Sequence, residues 1–141
     1  MATVLPTSLP PSMVRLVRQT GIESDCVVAA FASLTGLTYT QALVHCAAVN
    51  PAVLQSGMTW KDTQKAARRA GIRTRVQRRF DMGDETGLLC VRRMKNGHIE
   101  EHVVLLWEGR LCDGNGELWL DPEQYFAQYG YKPTSLLVRV E

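Results

Sequence analysis

The 141-residue sequence has no apolar run of the ~20 residues that a membrane span requires; its longest runs are 27–32 and 103–107. It has no CxxC pair among its four cysteines, which predicts reduced thiols and not a disulfide framework. Its net charge is only +2, too small an excess to predict a nucleic-acid or membrane partner. Residues 1–12 have no basic start and no long apolar run, so we expect no signal peptide and a cytoplasmic location.

The composition, 45% hydrophobic and 21% charged, is typical of a globular domain. A chain of this length suits one domain with its own core. Three prolines within residues 1–12 predict a loose N-terminal tail, which leaves a single domain over residues 13–141. The sequence leaves the oligomeric state open.

Residues 24–36 are typical of a buried helix with a cysteine at its start. Apolar residues recur at helical spacing, Ser24 or Asp25 can cap the first turn, and Gly36 suits the end. Cys26 then lies in the first turn, where free backbone N–H groups and the helix dipole favour a thiolate. This position makes Cys26 a candidate nucleophile.

The rest of the chain changes from helical to strand periodicity near residue 72. Two further helices are expected before that point, beginning after Thr38 or Thr40 and after Thr59, and Asp121-Pro122 predicts a helix near the end. This order favours an α+β domain with an antiparallel sheet. The predicted strands are 13–18, 72–77, 88–93, 101–107, 110–113, 117–120 and 134–140.

His102 opens the predicted strand 101–107, which a two-residue turn joins to the next strand. In such a hairpin His102, Asp113 and Asn115 share one face, with Asn115 opposite the histidine and Asp113 diagonal to it. A carboxylate there can hold the imidazole in the tautomer that accepts a thiol proton. Asp113 is therefore the expected orienter of His102, and Asn115 is the reserve for that role.

Three features together resemble the papain-like cysteine peptidases: Gln19, Asp25-Cys26 before an alanine-rich helix, and the strand that begins at His102. Within that family the sequence is most similar to the bacteriocin-processing peptidases, which cut leader peptides after paired glycines. The resemblance implies a papain-like fold, with N-terminal helices packed on a C-terminal antiparallel sheet. The roles it implies are nucleophile for Cys26, base for His102, orienter for Asp113 and oxyanion donor for Gln19.

We therefore expect a cysteine peptidase or related hydrolase, which cleaves an amide bond of a peptide or protein substrate through an acyl-enzyme and needs no cofactor. Two alternatives stay open. The first is a catalytically silent papain-like module that binds or inhibits a partner, because Val27 stands where the bacteriocin-processing branch usually has glycine. The second is an NlpC-type cell-wall endopeptidase, whose Asp-Cys start and His-Val strand are similar.

Two other patterns are weaker. His98 and His102, with Cys90 and Cys112 nearby, are spaced for a helix, whereas the stretch predicts turn and strand, so we expect no metal site. The arginine-rich segment 68–79 has no interleaved aromatic residues, so it predicts a solvated face and not a nucleic-acid groove.

Overall fold

The computed structural model describes residues 2–4, 26–83, 85–113 and 117–140. The fold is mixed α+β, and all strand pairs are antiparallel, as the sequence predicts. The elements in chain order are β1 (Ala2–Val4), α1 (Cys26–Thr35), α2 (Tyr39–Val49), α3 (Val53–Ser56), α4 (Trp60–Arg69), β2 (Arg73–Gln77), β3 (Gly87–Lys95), β4 (His98–Trp107), β5 (Arg110–Cys112), β6 (Glu117–Trp119), α5 (Pro122–Tyr129) and β7 (Lys132–Val140).

Side-chain caps set the starts of α2 and α4 where the sequence predicts them. The Thr38 hydroxyl accepts from the Gln41 backbone N–H at 3.1 Å, and the Gln41 side chain accepts from the Thr38 N–H at 3.0 Å. Thr59 caps α4 by accepting from the Asp62 N–H at 3.2 Å. Each bond satisfies a donor that the helix itself leaves unpaired, so these local signals are sufficient to locate α2 and α4.

The seven strands form one sheet in the order β1-β6-β5-β4-β3-β7-β2. Trp107 lies opposite Arg110 and Leu105 opposite Cys112, which confirms the predicted hairpin register. The turn residues Glu108 and Gly109 have φ of 48° and 80°, as a two-residue hairpin turn requires. Continuing this register by one residue places Asp113 opposite Val104. Asp113 is then on the same face as His102 and one diagonal step from it.

Helices cover both faces of the sheet. On one face α1, α2 and α4 enclose a core around Phe31, Leu105 and Leu137, each at most 2% exposed. On the other face α5 packs Tyr125 and Phe126 on the sheet. Within the described ranges no single helix is long and apolar enough to span a membrane; α1 and α2 meet that criterion only jointly, across a 117° bend.

Several predicted boundaries differ from the structure. β4 begins at His98 because it pairs with β3 as far as the Asn96-Gly97 turn, so His102 lies inside the strand and not at its start. Within the predicted loose tail 1–12, Ala2–Val4 pair with β6, which gives these three residues a place at the sheet edge. The predicted strand 13–18 and the caps expected at Ser24 or Asp25 lie outside the described residues.

Candidate active site

Cys26 is the first residue of α1, whose buried face packs on β4. The pKa of its half-buried thiol responds to three neighbouring groups, which are the His102 side chain and the backbone N–H groups of Val103 and Val27. In the described part of the chain, β5 pairs with β4 only at residues 105–107, and Val103 lies beyond that stretch. The Val103 backbone group that neighbours the Cys26 sulfur therefore lies outside the β4–β5 ladder.

A hydrogen bond joins the side chains of His102 and Asp113. The imidazole Nε2 lies 3.0 Å from Asp113 Oδ1, and only 21% and 13% of the two side chains are exposed. An ionised carboxylate can only accept, so Nε2 carries the proton of this bond. The other ring nitrogen, Nδ1, is then the one left to exchange a proton with Cys26. The structure thus brings together the three residues that the sequence singles out.

A tyrosine that the sequence analysis missed contacts the same carboxylate. The Tyr125 hydroxyl donates to Asp113 Oδ2 at 3.0 Å, from α5 on the second face of the sheet. The signal at Asp121-Pro122 locates α5 in the sequence, and Asp121 does accept from the Glu123 N–H at 3.1 Å. Which face of α5 meets Asp113 depends on how the helix packs on β5 and β6, and no local pattern encodes that.

The ionisation of the thiol reflects competing effects. Burial by itself raises the pKa of Cys26, but the hydrogen bond and charge of His102, with the two backbone N–H groups, outweigh it and lower the pKa below the ordinary value. Burial by itself lowers the pKa of His102, but bonding to Asp113 and Cys26 outweighs it and raises the pKa to about 10. Both shifts favour a thiolate–imidazolium pair over a neutral thiol and a neutral imidazole.

The other three cysteines behave in the opposite way. Burial raises the pKa of Cys46 and of Cys112 to about 12 in each case. Burial also raises the pKa of Cys90, and the neighbouring Glu101 carboxylate at 3.7 Å adds to the effect. Of the four thiols, only that of Cys26 has its pKa lowered.

We expect iodoacetamide at about pH 6 to alkylate Cys26 well before the other three thiols. An unperturbed thiol, with a pKa of about 8.5, is almost wholly protonated at that pH and reacts slowly. Peptide mapping by mass spectrometry after short exposure measures the order of labelling. Earlier labelling of Cys46, Cys90 or Cys112 would show that the nucleophile has been assigned to the wrong residue.

Cys26 and His102 open onto a cleft of about 640 Å³, a volume within the usual range for ligand sites. One wall is residues 57–60, where the Trp60 indole N–H donates to Ser135 Oγ at 2.6 Å. The facing wall comes from β3 and β4, and its exposed rim includes the Arg92–Glu101 ion pair at 3.3 Å. The hydrogen bond to Ser135 fixes the orientation of the indole in the cleft.

Gln19 and Asn115, for which the sequence predicts roles in the site, lie outside the described residues. The arginines predicted to form a solvated face are all exposed; they are Arg68, Arg69, Arg73, Arg75, Arg78 and Arg79. Among the described residues, no group of three or more His, Cys, Asp or Glu side chains is arranged to hold a metal ion.

No protein-family model matches the chain, and no curated protein matches it. The function is therefore inferred from the geometry of Cys26, His102 and Asp113 and from the chemistry of those three groups.

Proposed function

We propose that the protein is a papain-like cysteine hydrolase, a peptidase that cleaves an amide bond of a peptide or protein substrate in the cytoplasm. The observation that carries the proposal is the 3.0 Å hydrogen bond between His102 and Asp113, with the Cys26 thiol beside the same imidazole at the mouth of a cleft. A helix-start thiolate, an adjacent base and a carboxylate behind that base are the components of nucleophilic acyl transfer.

The reaction follows from the ionised pair. The Cys26 thiolate attacks the carbonyl carbon, a C–S bond forms, and the carbonyl electron pair moves to oxygen. When the tetrahedral intermediate collapses, the C–N bond breaks and the His102 imidazolium gives its Nδ1 proton to the leaving amine. Water then attacks the thioester while His102 takes its proton, and cleavage of the C–S bond releases the acid and the thiolate.

The developing oxyanion needs donors. Cys26 opens α1, so its backbone N–H is one of the four that an α-helix leaves without an intrahelical acceptor. It can donate to the oxyanion, and the resemblance to papain-like peptidases assigns the Gln19 side chain as the second donor. Removing one such donor lowers turnover by on the order of 10²-fold.

Two structural details favour a peptidase with a Cys26, His102 and Asp113 site over the two alternatives. Val27, the residue that raised the possibility of a silent module, is 1% exposed and packs in the core, while the sulfur of Cys26 stays partly accessible. The side chain that hydrogen-bonds His102 Nε2 is Asp113. An NlpC-type endopeptidase is expected to have a second histidine in that position.

The test is a cleavage profile of the pure protein on a mixture of peptides, read by mass spectrometry, with Cys26→Ala as the control. We expect products that the wild-type protein makes and the variant does not. Equal products from both proteins would contradict the assignment. Intact peptides that co-purify with the wild-type protein, together with no cleavage, would favour the binding module.

A further inference from the structure

Two tyrosines that the proposed mechanism does not use contact its base and its carboxylate. The Tyr125 hydroxyl donates to Asp113 Oδ2, while Oδ1 serves His102. The Tyr131 ring stacks on the His102 imidazole, with ring centroids 6.1 Å apart and planes at 23°. The Tyr131 ring also stacks on Tyr125, at 5.9 Å and 9°. The imidazole, the carboxylate and the two phenol rings thus form one closed set of contacts.

Tyr125 is fixed in both position and protonation state. It is 1% exposed and packs at 5.6 Å from Trp119 and 5.1 Å from Tyr129, measured between ring centroids. Burial, together with the charge of Asp113, raises the pKa of its hydroxyl far above the ordinary value, so the group remains a neutral donor. With one carboxylate oxygen bound to an immobile hydroxyl, Asp113 cannot rotate away from His102 without leaving a buried donor unpaired.

Tyr131 acts through its ring. The Arg93 guanidinium lies 4.5 Å from the ring centroid and is itself anchored by Glu100 at 3.1 Å and by the Tyr129 carbonyl at 2.8 Å. The ring is therefore held against the imidazole. The Asp113 carboxylate contacts His102 directly, and the Cys26 thiol lies beside the same imidazole. Arg93 and Glu100 lie at the Tyr131 ring, Arg92 and Glu101 at the cleft rim, and Asp62 and Arg78 also line the cleft.

We propose that Tyr125 and Tyr131 are positioning residues for the catalytic pair: the hydroxyl of Tyr125 orients Asp113, and the ring of Tyr131 sets the plane of His102. This inference rests on the proposed function, since it assigns a role within the same site. The two tyrosines contribute different groups. Phenylalanine keeps the ring that Tyr131 contributes, but it lacks the hydroxyl that Tyr125 contributes.

The test compares Tyr125→Phe with Tyr131→Phe. In Tyr125→Phe the imidazolium is held less well, so the thiolate is less stabilised. We expect the midpoint of the pH dependence of Cys26 alkylation to rise by about one unit, which lowers the thiolate population about tenfold at pH values well below the midpoint. We also expect kcat to fall by about tenfold, with KM unchanged. Tyr131→Phe should match the wild-type protein in both measurements, whereas Tyr131→Ala should resemble Tyr125→Phe.

Tyr129→Phe is the matched control, since it removes one hydroxyl from the same ring cluster without touching the bond to Asp113. It should keep the wild-type alkylation curve. An unchanged curve in Tyr125→Phe, or an equal shift in Tyr129→Phe or Tyr131→Phe, would overturn the inference. The alkylation curve is read from the thiol itself, so it decides this point even if no peptide is hydrolysed, and a wild-type protein without turnover would overturn only the proposed peptidase.

Discussion

His102→Ala is expected to lower kcat by at least about 10⁴-fold, the largest effect of any substitution outside Cys26 itself. The variant loses the proton donor to the leaving amine and also the imidazolium that stabilises the thiolate, two roles that act in the same step. Alkylation of Cys26 at about pH 6 should fall in parallel. Burial raises the pKa of the thiol, and without His102 that effect is opposed less strongly, so the pKa rises. Steady-state kinetics and the alkylation rate measure the two losses.

His98→Ala is the matched control, because His98 lies four residues earlier on β4 and is exposed. It should retain wild-type turnover. A comparable loss in both variants would show that β4 tolerates no change of this kind and that the effect is structural. Wild-type turnover in His102→Ala would remove the base from the proposed mechanism.

The contribution of His102 to the stability of the fold should depend on pH. The folded-state pKa of His102 is raised to about 10, above the unfolded value near 6.5. Its contribution to the free energy of unfolding is therefore fully present below pH ~6.5 and declines as the pH rises toward 10. The difference in melting temperature between the wild-type protein and His102→Ala should shrink over that interval; a difference that grows would contradict the raised pKa.

Asp113→Ala should lower kcat by on the order of 10²–10⁴-fold, because the imidazole loses the acceptor that fixes its tautomer. The variant should also unfold more easily, by about 1–3 kcal/mol, since the buried Tyr125 hydroxyl loses its acceptor. Asp113→Asn keeps the shape and can still offer an oxygen to His102, so we expect a smaller loss of turnover and a smaller loss of stability. Kinetics below the melting transition and thermal melts separate the two effects.

Asp121→Ala controls for the loss of a nearby carboxylate. Asp121 caps α5, so its removal should cost the ~1 kcal/mol typical of an N-cap and lower the melting temperature by a few degrees. Turnover at low temperature should be unchanged. If Asp121→Ala loses turnover while Asp113→Ala keeps it, the orienter has been assigned to the wrong aspartate.

Much of this protein is encoded locally. The caps at Thr38, Thr59 and Asp121 require only short-range hydrogen bonds, so the starts of three helices are readable from the sequence. The two-residue turn at Glu108-Gly109 determines the register of its hairpin, because the period of side chains along a strand is two. That register alone puts Asp113 on the face of His102, as the bond between them requires.

What the sequence could not determine is how separate elements meet. The extent of β4 is set by pairing with β3, which is why the strand begins at His98 and not near His102. The contact of α1 with β4 brings Cys26 to His102, and the packing of α5 on the second face brings Tyr125 to Asp113. Such contacts depend on the burial of two apolar faces at once, and burial is non-directional and sums over the whole core. Local pattern therefore predicted Cys26, His102 and Asp113 and the register behind the His102–Asp113 bond, while tertiary packing alone decided that Cys26 and Tyr125 meet that pair.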